Sequence, residues 1–476
     1  MRKSASALAL LGLAALLAGP AGAASAVWSP ARPVHLPSRG TAVPQGYLPA
    51  LACPAAGSCV AAGDYANGTT SVSGLVVTES HGVWQTGRAI VAPPDAAAAP
   101  GLTPYAVACG AVGDCTVVGS YDDATGDVQA FVDSEVSGVW RSAIRVPLPP
   151  DALGSGQVAG LRAIACPSVT RCVAAGSYTT SNAVAPVEGL VVTGAAGAWS
   201  AREIAAPAGA NADPLLVLTQ VACASGGACV AAGTYVDAQN ATHALVADAA
   251  TALISVLAPP PNVSAYPTVT VGALACAPAG PCELAGTYET AGGQLEGYVS
   301  ASPGAVGARA TELVMPAGAA ASPRVFFYGF AGLACPGAGA CATGGQYLDG
   351  QGRYQGFLAN EFGGVWQPAT ALRLPAGAQQ AGRNGGVVAV TCPAAGQCRA
   401  GAAYLDAAGR YQALVAGERH DAWTTSTTLA LPAGARTVGV DGGVYGLVCP
   451  TASACTATGT YLDRAGNYQG FYASLR

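Results

Sequence analysis

An all-β ring of eight four-stranded antiparallel sheets is predicted for this 476-residue chain, on three observations. Sixteen cysteines fall into eight C-x5-C pairs at near-constant spacing. A tyrosine, a polar turn and an apolar stretch follow each pair in the same order. The tryptophan-bearing segment that the last unit lacks stands at the other end of the chain. Such a regular period marks a repeat architecture, in which each unit buries its apolar faces against its neighbours.

Taken in chain order, Arg2 and Lys3 precede an apolar run from Ala7 to Ala18. Gly19-Pro20 and the small-residue sites Ala21-Gly22-Ala23 and Ala24-Ser25-Ala26 follow. A charged start, a short apolar stretch and an A-x-A site make a secretory signal peptide over residues 1–26. The run is too short for the ~20 residues a bilayer-spanning helix needs, and no second uninterrupted apolar run of that length occurs. The expected product, residues 27–476, is secreted or associated with the cell surface, with no membrane span. Charged residues make up only 10% of the chain, and the formal charge of -5 becomes more negative when Arg2 and Lys3 leave. No basic patch is available to neutralise phosphates, so nucleic acid is not an expected partner.

The cysteine pairs are Cys53/Cys59, Cys109/Cys115, Cys166/Cys172, Cys223/Cys229, Cys276/Cys282, Cys335/Cys341, Cys392/Cys398 and Cys449/Cys455. In an exported chain an even count at fixed spacing reads as a disulfide framework. Zinc knuckles use shorter spacings and bring histidines, whereas the four histidines here are scattered. Closing each short loop restricts the unfolded chain by ~2.4 kcal/mol on the chain-entropy argument.

The first cysteines of successive pairs lie 56, 57, 57, 53, 59, 57 and 57 residues apart. A short apolar stretch such as Ala163-Ile164-Ala165 precedes each pair, and a run such as Val60-Ala61-Ala62-Gly63-Asp64-Tyr65 follows it. The tyrosine recurs at Tyr121, Tyr178, Tyr235, Tyr288, Tyr347, Tyr404 and Tyr461. Next come a polar turn, an apolar strand such as Gly74-Leu75-Val76-Val77, and a segment opening on Trp84, Trp140, Trp199, Trp366 or Trp423. Short β-branched stretches punctuated by glycine and proline read as a four-stranded meander and leave no room for a helical pattern. In the first unit the strands are expected near 47–53, 59–65, 74–79 and 83–91, with the disulfide across the first turn. The units run approximately over 45–92, 101–148, 158–206, 215–260, 267–316, 325–374, 386–431 and 442–475. Units four and five lack the tryptophan, and Ala249 to Leu257 and Ala305 to Met315 replace it, marking the more diverged part of the ring.

Closure follows from the chain ends. The last unit stops at its third strand, Gly470 to Arg476. Residues 28–37, beginning Trp28-Ser29-Pro30-Ala31, match the fourth-strand segment 366–375, beginning Trp366-Gln367-Pro368-Ala369. Residues 27–36 are therefore expected to complete the last sheet, pairing two otherwise bare edges.

Four short strands per unit, many times repeated, resemble the blades of WD-repeat and kelch propellers in architecture. The Cys-Pro-x-x-x-x-Cys-Val-Ala-x-Gly runs at Cys53 to Gly63 and Cys166 to Gly176 also resemble a loose class of exported repeat proteins of high-GC bacteria. The resemblance implies an eight-bladed β-propeller and no particular activity, since propellers host many functions.

In such a ring the disulfide turns and the Gly82-Val83-Trp84-type turns share one face. The Asp/Gly turns and the connectors between units share the other, and variable connectors on a rigid scaffold are the usual seat of binding. Near that mouth of the channel the sequence places Tyr47, Tyr105, Tyr266, Phe327, Tyr328 and Tyr445, with Arg162, Arg324, Arg383 and Asp441 nearby. Tyr47, Tyr105, Tyr266, Tyr328, Tyr445, Arg324 and Asp441 are the candidate ligand-binding set. Two readings of these rings stand, stacking on a sugar or peptide and plugging the axis. The recurring tyrosines after the cysteines read as core packing.

No catalytic set, cofactor or metal site is expected. His35, His81, His243 and His420 are spread around the ring as surface residues. The Gly-x-Trp turns echo the box of sialidase-like propellers but lack its Ser and Asp, so no arginine triad is transferred. The Asp349, Asp406 and Asp463 turns carry one carboxylate each, short of a calcium loop. Glu283 and Arg399, which break the small-residue pattern after the second cysteine, are expected on an exposed rim, because an unpaired buried charge costs several kcal/mol. The expected function is a disulfide-stabilised extracellular binding or scaffold module for glycan or protein. The alternative is a carbohydrate-active hydrolase or lyase with its site at the channel mouth.

Overall fold

The computed structural model describes residues 27–37, 46–66, 72–182, 184, 186–301, 308–320, 330–379, 385–419, 421–436 and 442–476. The expected signal peptide, residues 1–26, lies outside them. Among the described residues every regular element is a β-strand, and no helix is long and apolar enough to cross a membrane.

Eight antiparallel sheets follow one another along the chain, each ordered first to fourth strand outward. Blade 3 illustrates the unit, with strands Gly160–Ser168, Arg171–Thr179, Val187–Ala195 and Ala198–Ile204. Its second strand is buried on both faces because a blade packs against a neighbour on each side, which explains why Cys172-Val173-Ala174-Ala175 does not alternate with polar residues. The register of the first strand slips between Leu161 and Ala163, a bulge that brings the Gly160 carbonyl over Gly176. A Cβ on Gly176 would stand 1.8 Å from that oxygen, and Gly63 meets the Tyr47 carbonyl in the same way. The recurring glycine four residues after the second cysteine is therefore a close-approach residue.

First strands neighbour one another around the axis, and the first strand of blade 8, Gly442–Thr451, lies beside that of blade 1, Gly46–Ala55. The ring is closed. Arg32 and Pro33 pair with Tyr472 and Phe471 of the last blade, and Trp28 bridges Leu475. Ser29 N–H donates to Ser474 O at 2.8 Å and Val34 N–H to Gly470 O at 2.9 Å. The C-terminal Arg476 crosses to blade 1, where its guanidinium reaches Glu79 Oε1 at 2.9 Å.

Each apolar core lies between two blades. Ala61, Leu75 and Trp84 of blade 1 pack with Val34 and Tyr472 of blade 8, and Tyr121 and Phe131 of blade 2 pack with Val76 of blade 1. The recurring tyrosines lie in these seams: Tyr121, Tyr178 and Tyr288 are at most 1% exposed and donate their hydroxyls to Asp95, Asp151 and Asn262. The tryptophans reach back to the preceding blade, Trp140 Nε1 donating to Thr78 Oγ1 at 3.3 Å and Trp423 Nε1 to Asn360 Oδ1 at 2.9 Å. In blades 4 and 5, which lack the tryptophan, the fourth strand is the single short piece Ile254–Val256 or Thr311–Glu312, whereas in blades 1, 2 and 6 it is two short pieces; the first strand of blade 5 is only Ala273–Cys276.

All eight C-x5-C pairs are disulfides across the turn between first and second strands, with Cα atoms 3.8–4.1 Å apart. The bonds join Cys53 to Cys59, Cys109 to Cys115, Cys166 to Cys172, Cys223 to Cys229, Cys276 to Cys282, Cys335 to Cys341, Cys392 to Cys398 and Cys449 to Cys455. The disulfides cross the expected turn, and the hairpins around them differ in length. In blades 1, 2, 3, 6 and 8 both strands run past the cysteines, as far as Ala55 and Ser58 in blade 1. In blades 4 and 5 the ladder stops at the sulfur bridge: Cys229 and Cys282 open their second strands directly opposite Cys223 and Cys276. Cys229 is buried in the seam of blades 3 and 4, whereas Cys282 is half-buried. In blade 7 the strands Val387–Thr391 and Arg399–Leu405 end just short of Cys392 and Cys398.

Gly82 N–H donates to Gly57 O and Gly138 N–H to Gly113 O, so the disulfide turn and the third-to-fourth turn share a face. On the opposite face the connectors into blades 2 to 8 each bridge the second-to-third turn of the blade they enter, as Ala96 does to Asp123 and Ala378 to Asp406.

Candidate binding site at the channel mouth

The connector face owes its rigidity to repeated aspartate turns. Asp123 Oδ1 accepts N–H groups from Thr125 and Asp127, and its Oδ2 accepts Gln129 Nε2 at 2.9 Å. Asp349, Asp406 and Asp463 repeat this with Gln355, Gln412 and Gln469. Burial alone would raise these carboxyls, yet the converging donors hold Asp123 and Asp349 down at about 2. With both oxygens engaged by the protein, the turns are structural, in line with the hairpin reading. His243, expected at the surface, is half-buried and takes the glutamine's place in blade 4, with Nε2 2.7 Å from Asp237 Oδ2 and its ring stacked on Tyr235. His35 and His81 are exposed, and His420 lies outside the described residues.

Inside this rim the channel opens into a cavity of about 820 Å³ lined by blades 1, 5, 6, 7 and 8. Tyr47 and Tyr445 meet across the seam of blades 1 and 8, edge to face, with ring centroids 5.3 Å apart. Tyr47 remains 40% exposed, so its ring is presented at the mouth rather than consumed by the core. Phe330, Gln346, Tyr354 and Tyr411 line the same cavity, with Gly385-Gly386 and Gly442-Gly443. Gly386 leaves room for the Gln346 side chain, whose Cγ a Cβ at 386 would meet at 1.9 Å.

The expected rim is thus divided. Tyr47 and Tyr445 come together at the cavity. Tyr105 lies elsewhere, covered by the Arg162 guanidinium 4.2 Å from its ring centroid and held by Ser120 Oγ at 3.3 Å. Tyr266 projects from the connector into blade 5 and is 66% exposed. Tyr328, Arg324 and Asp441, with Phe327 and Arg383, lie outside the described residues. Gln346, Tyr354 and Tyr411 were not expected. The repeated Arg353-Tyr354-Gln355 and Arg410-Tyr411-Gln412 after the aspartate turns were the available signal for the two tyrosines.

The disulfide face carries the acidic groups. Blades 1, 2, 6 and 7 set Glu79, Glu135, Glu361 and Glu418 on their third strands, opposite the second cysteine of the disulfide. All four are at least nine-tenths buried. Glu418 accepts Cys398 N–H at 2.9 Å and Asn360 Nδ2 at 2.6 Å. Glu283, next to Cys282, corrects an expectation: it is not on an exposed rim but 2% exposed, wedged between blades 5 and 6 with ligand atoms of Glu361 and Cys341 within 4.8 Å. Burial, followed by the Glu361 charge, pushes Glu283 up to about 7, so the pair avoids the cost of a buried charge by holding a proton. Cys341 is oxidised to Cys335 and offers no thiolate, so this trio lacks a metal-binding donor set. Arg399, also expected on the rim, is half-buried and donates Nη2 to Ala452 O at 3.1 Å.

No protein-family model matches the chain, and no curated protein matches its sequence. Solved structures resemble it at low identity. A protein of unknown function from Dyadobacter fermentans is 11% identical, with 95% of this chain and 99% of that chain covered and a TM-score of 0.37. A xyloglucanase from Xanthomonas campestris is 12% identical, covering 94% and 81%, with a TM-score of 0.36. An alpha-L-arabinanase from Penicillium chrysogenum is 10% identical, covering 79% and 94%, with a TM-score of 0.37.

Proposed function

We propose that the chain is an exported, disulfide-stabilised binding module that takes an extracellular glycan or peptide at the connector-side mouth of its channel. The observation that carries this reading is the Tyr47–Tyr445 pair opening onto a cavity of about 820 Å³. Partly exposed aromatic rings beside a hydrogen-bonding amide, here Gln346, suit the apolar faces and hydroxyls of a sugar ring. Tyr105, Tyr266, Tyr328, Arg324 and Asp441 are proposed to extend the contact around the rim. The eight disulfides support work in an oxidising compartment.

Acid–base glycosidase chemistry needs two carboxyl groups flanking the scissile bond. The described lining of the cavity offers aromatic rings and an amide, groups that stack and hydrogen-bond. A glycan array probed with the purified protein, and again with the Tyr47→Ala/Tyr445→Ala double variant, tests the reading. Binding that the double variant loses by about tenfold or more, the scale of one or two stacking contacts, is the expected result. Unchanged binding by the variant would remove the site. Release of shortened products from an arrayed glycan would replace the binding module with a hydrolase or lyase.

A further inference from the structure

A second concave site lies on the disulfide face, away from the channel mouth. Four blades present a buried glutamate on their third strands there, and in three of them the preceding blade sets a polar side chain against it. Glu79 meets Arg476 of blade 8, Glu361 meets Glu283 of blade 5, and Glu418 meets Asn360 of blade 6. Glu135 feels only the more distant charge of Arg88 from blade 1, with no hydrogen bond among its described contacts. Blade 1 offers Val60 where blade 5 has Glu283, and Thr78 where blade 6 has Asn360. Thr78 already serves as acceptor for Trp140 Nε1.

At this place the seam of blades 1 and 2 opens into a cleft of about 390 Å³. Glu135 is 5% exposed and Glu79 2%; both line the cleft, and Oε2 of each is buried without a hydrogen-bond partner. The charges around it are unbalanced. Arg88 is committed to Asp133 Oδ2 at 3.2 Å, to the Ala89 and Arg141 carbonyls and to the Trp140 ring. Arg476 is committed to Glu79 Oε1 and Gly82 O. Against these two cations stand Glu79, Glu135, Asp133 and Asp114, the last placed close enough to raise Glu135 further after burial has done so. Leaving a buried carboxylate oxygen unpaired is costly, and a cation in the cleft would offset that cost.

We propose that the cleft between blades 1 and 2 binds an amine-bearing saccharide of the glucosamine type, its ammonium group donating to Glu135 and Glu79. An ammonium ion fits better than a metal: among the described residues only the Glu283 trio gathers three acidic or sulfur ligand atoms within 4.8 Å, and it lies in another seam. Ser58, Ser80, Gln85 and Thr86 supply hydroxyl and amide groups for the ligand's own hydroxyls. Trp140 forms a wall.

Calorimetric titration of the intact, disulfide-bonded protein with glucosamine, N-acetylglucosamine and cadaverine tests the proposal at neutral pH. Saturable glucosamine binding is expected, about tenfold or more weaker for the uncharged N-acetyl sugar, the worth of one charge-assisted hydrogen bond. Cadaverine binding would show that the ammonium suffices, and its failure beside glucosamine binding would show that the hydroxyls are also read; both support the site. Glu135→Gln should lose about tenfold or more in affinity. Thr78→Asn tests the same point without touching a carboxylate. It copies Asn360, whose Oδ1 accepts the tryptophan N–H of the next blade while its Nδ2 answers the glutamate, so it should fill the vacancy and abolish binding. No saturable glucosamine binding, equal binding of the two sugars, or wild-type affinity in both variants would overturn the proposal.

Discussion

Replacing Glu283 by glutamine should make the protein more stable at alkaline pH. Glu283 is 2% exposed and faces Glu361 across the seam of blades 5 and 6, with no cation among their described contacts. Burial and the neighbouring carboxyl raise it from an ordinary 4.5 to about 7. The folded protein therefore binds a proton that the unfolded chain has released. Stability from this group is fully present below pH 4.5, declines as pH rises, and is gone above about 7. At ~1.4 kcal/mol per tenfold change in proton affinity, the loss is roughly 3 kcal/mol. An unfolding entropy of ~2 cal/mol/K per residue gives about 1 kcal/mol/K for a chain of this size, so the loss corresponds to ~3 °C. Asp133 and Glu188, also held at about 7 by burial, impose slopes of the same sign, so the readout is the difference between variant and parent. Melting curves of both proteins from pH 4.5 to 8.5 should nearly coincide at the acid end. The variant should melt higher by about 3 °C at the alkaline end. Parallel pH profiles, or a variant less stable at pH 8, would refute the raised proton affinity of Glu283.

Two further outcomes follow from the fold. Gly176→Ala should cost about 3 kcal/mol or more, because the new Cβ would lie 1.8 Å from the Gly160 carbonyl, and denaturant titration of the purified variant measures it. Val34→Pro removes the N–H that donates to Gly470 O and disturbs a buried contact at the closing seam. A loss of about 2 kcal/mol is expected there, with earlier proteolysis of the N-terminal strand, and unchanged proteolysis would argue against its closing role.

The architecture was legible in the residue order because repetition multiplies weak local signals. Eight cysteine pairs, the tyrosine after each and the tryptophan segment displaced to residues 28–37 specify the blades, the hairpins they crosslink and the sheet that the N-terminal strand completes. Those features depend on short-range hairpin geometry and on edge pairing between recognisably complementary segments. How far each hairpin ladder runs was less legible, since the spacing that carries the strands past the cysteines of blade 1 stops them at Cys229 and Cys282. The surroundings of single side chains were set at a longer range. Glu283 reads as an exposed charge until Glu361, 78 residues later, is laid near it by the next blade and burial raises the proton affinity of both. Tyr47 and Tyr445 are nearly the full chain apart, and ring closure alone makes them neighbours, while Tyr105, at the strand position of Tyr445, is taken by Arg162. Strand periodicity places a residue on a face of its own blade. What that face meets is decided by the neighbouring blade, through packing and desolvation that no local pattern encodes.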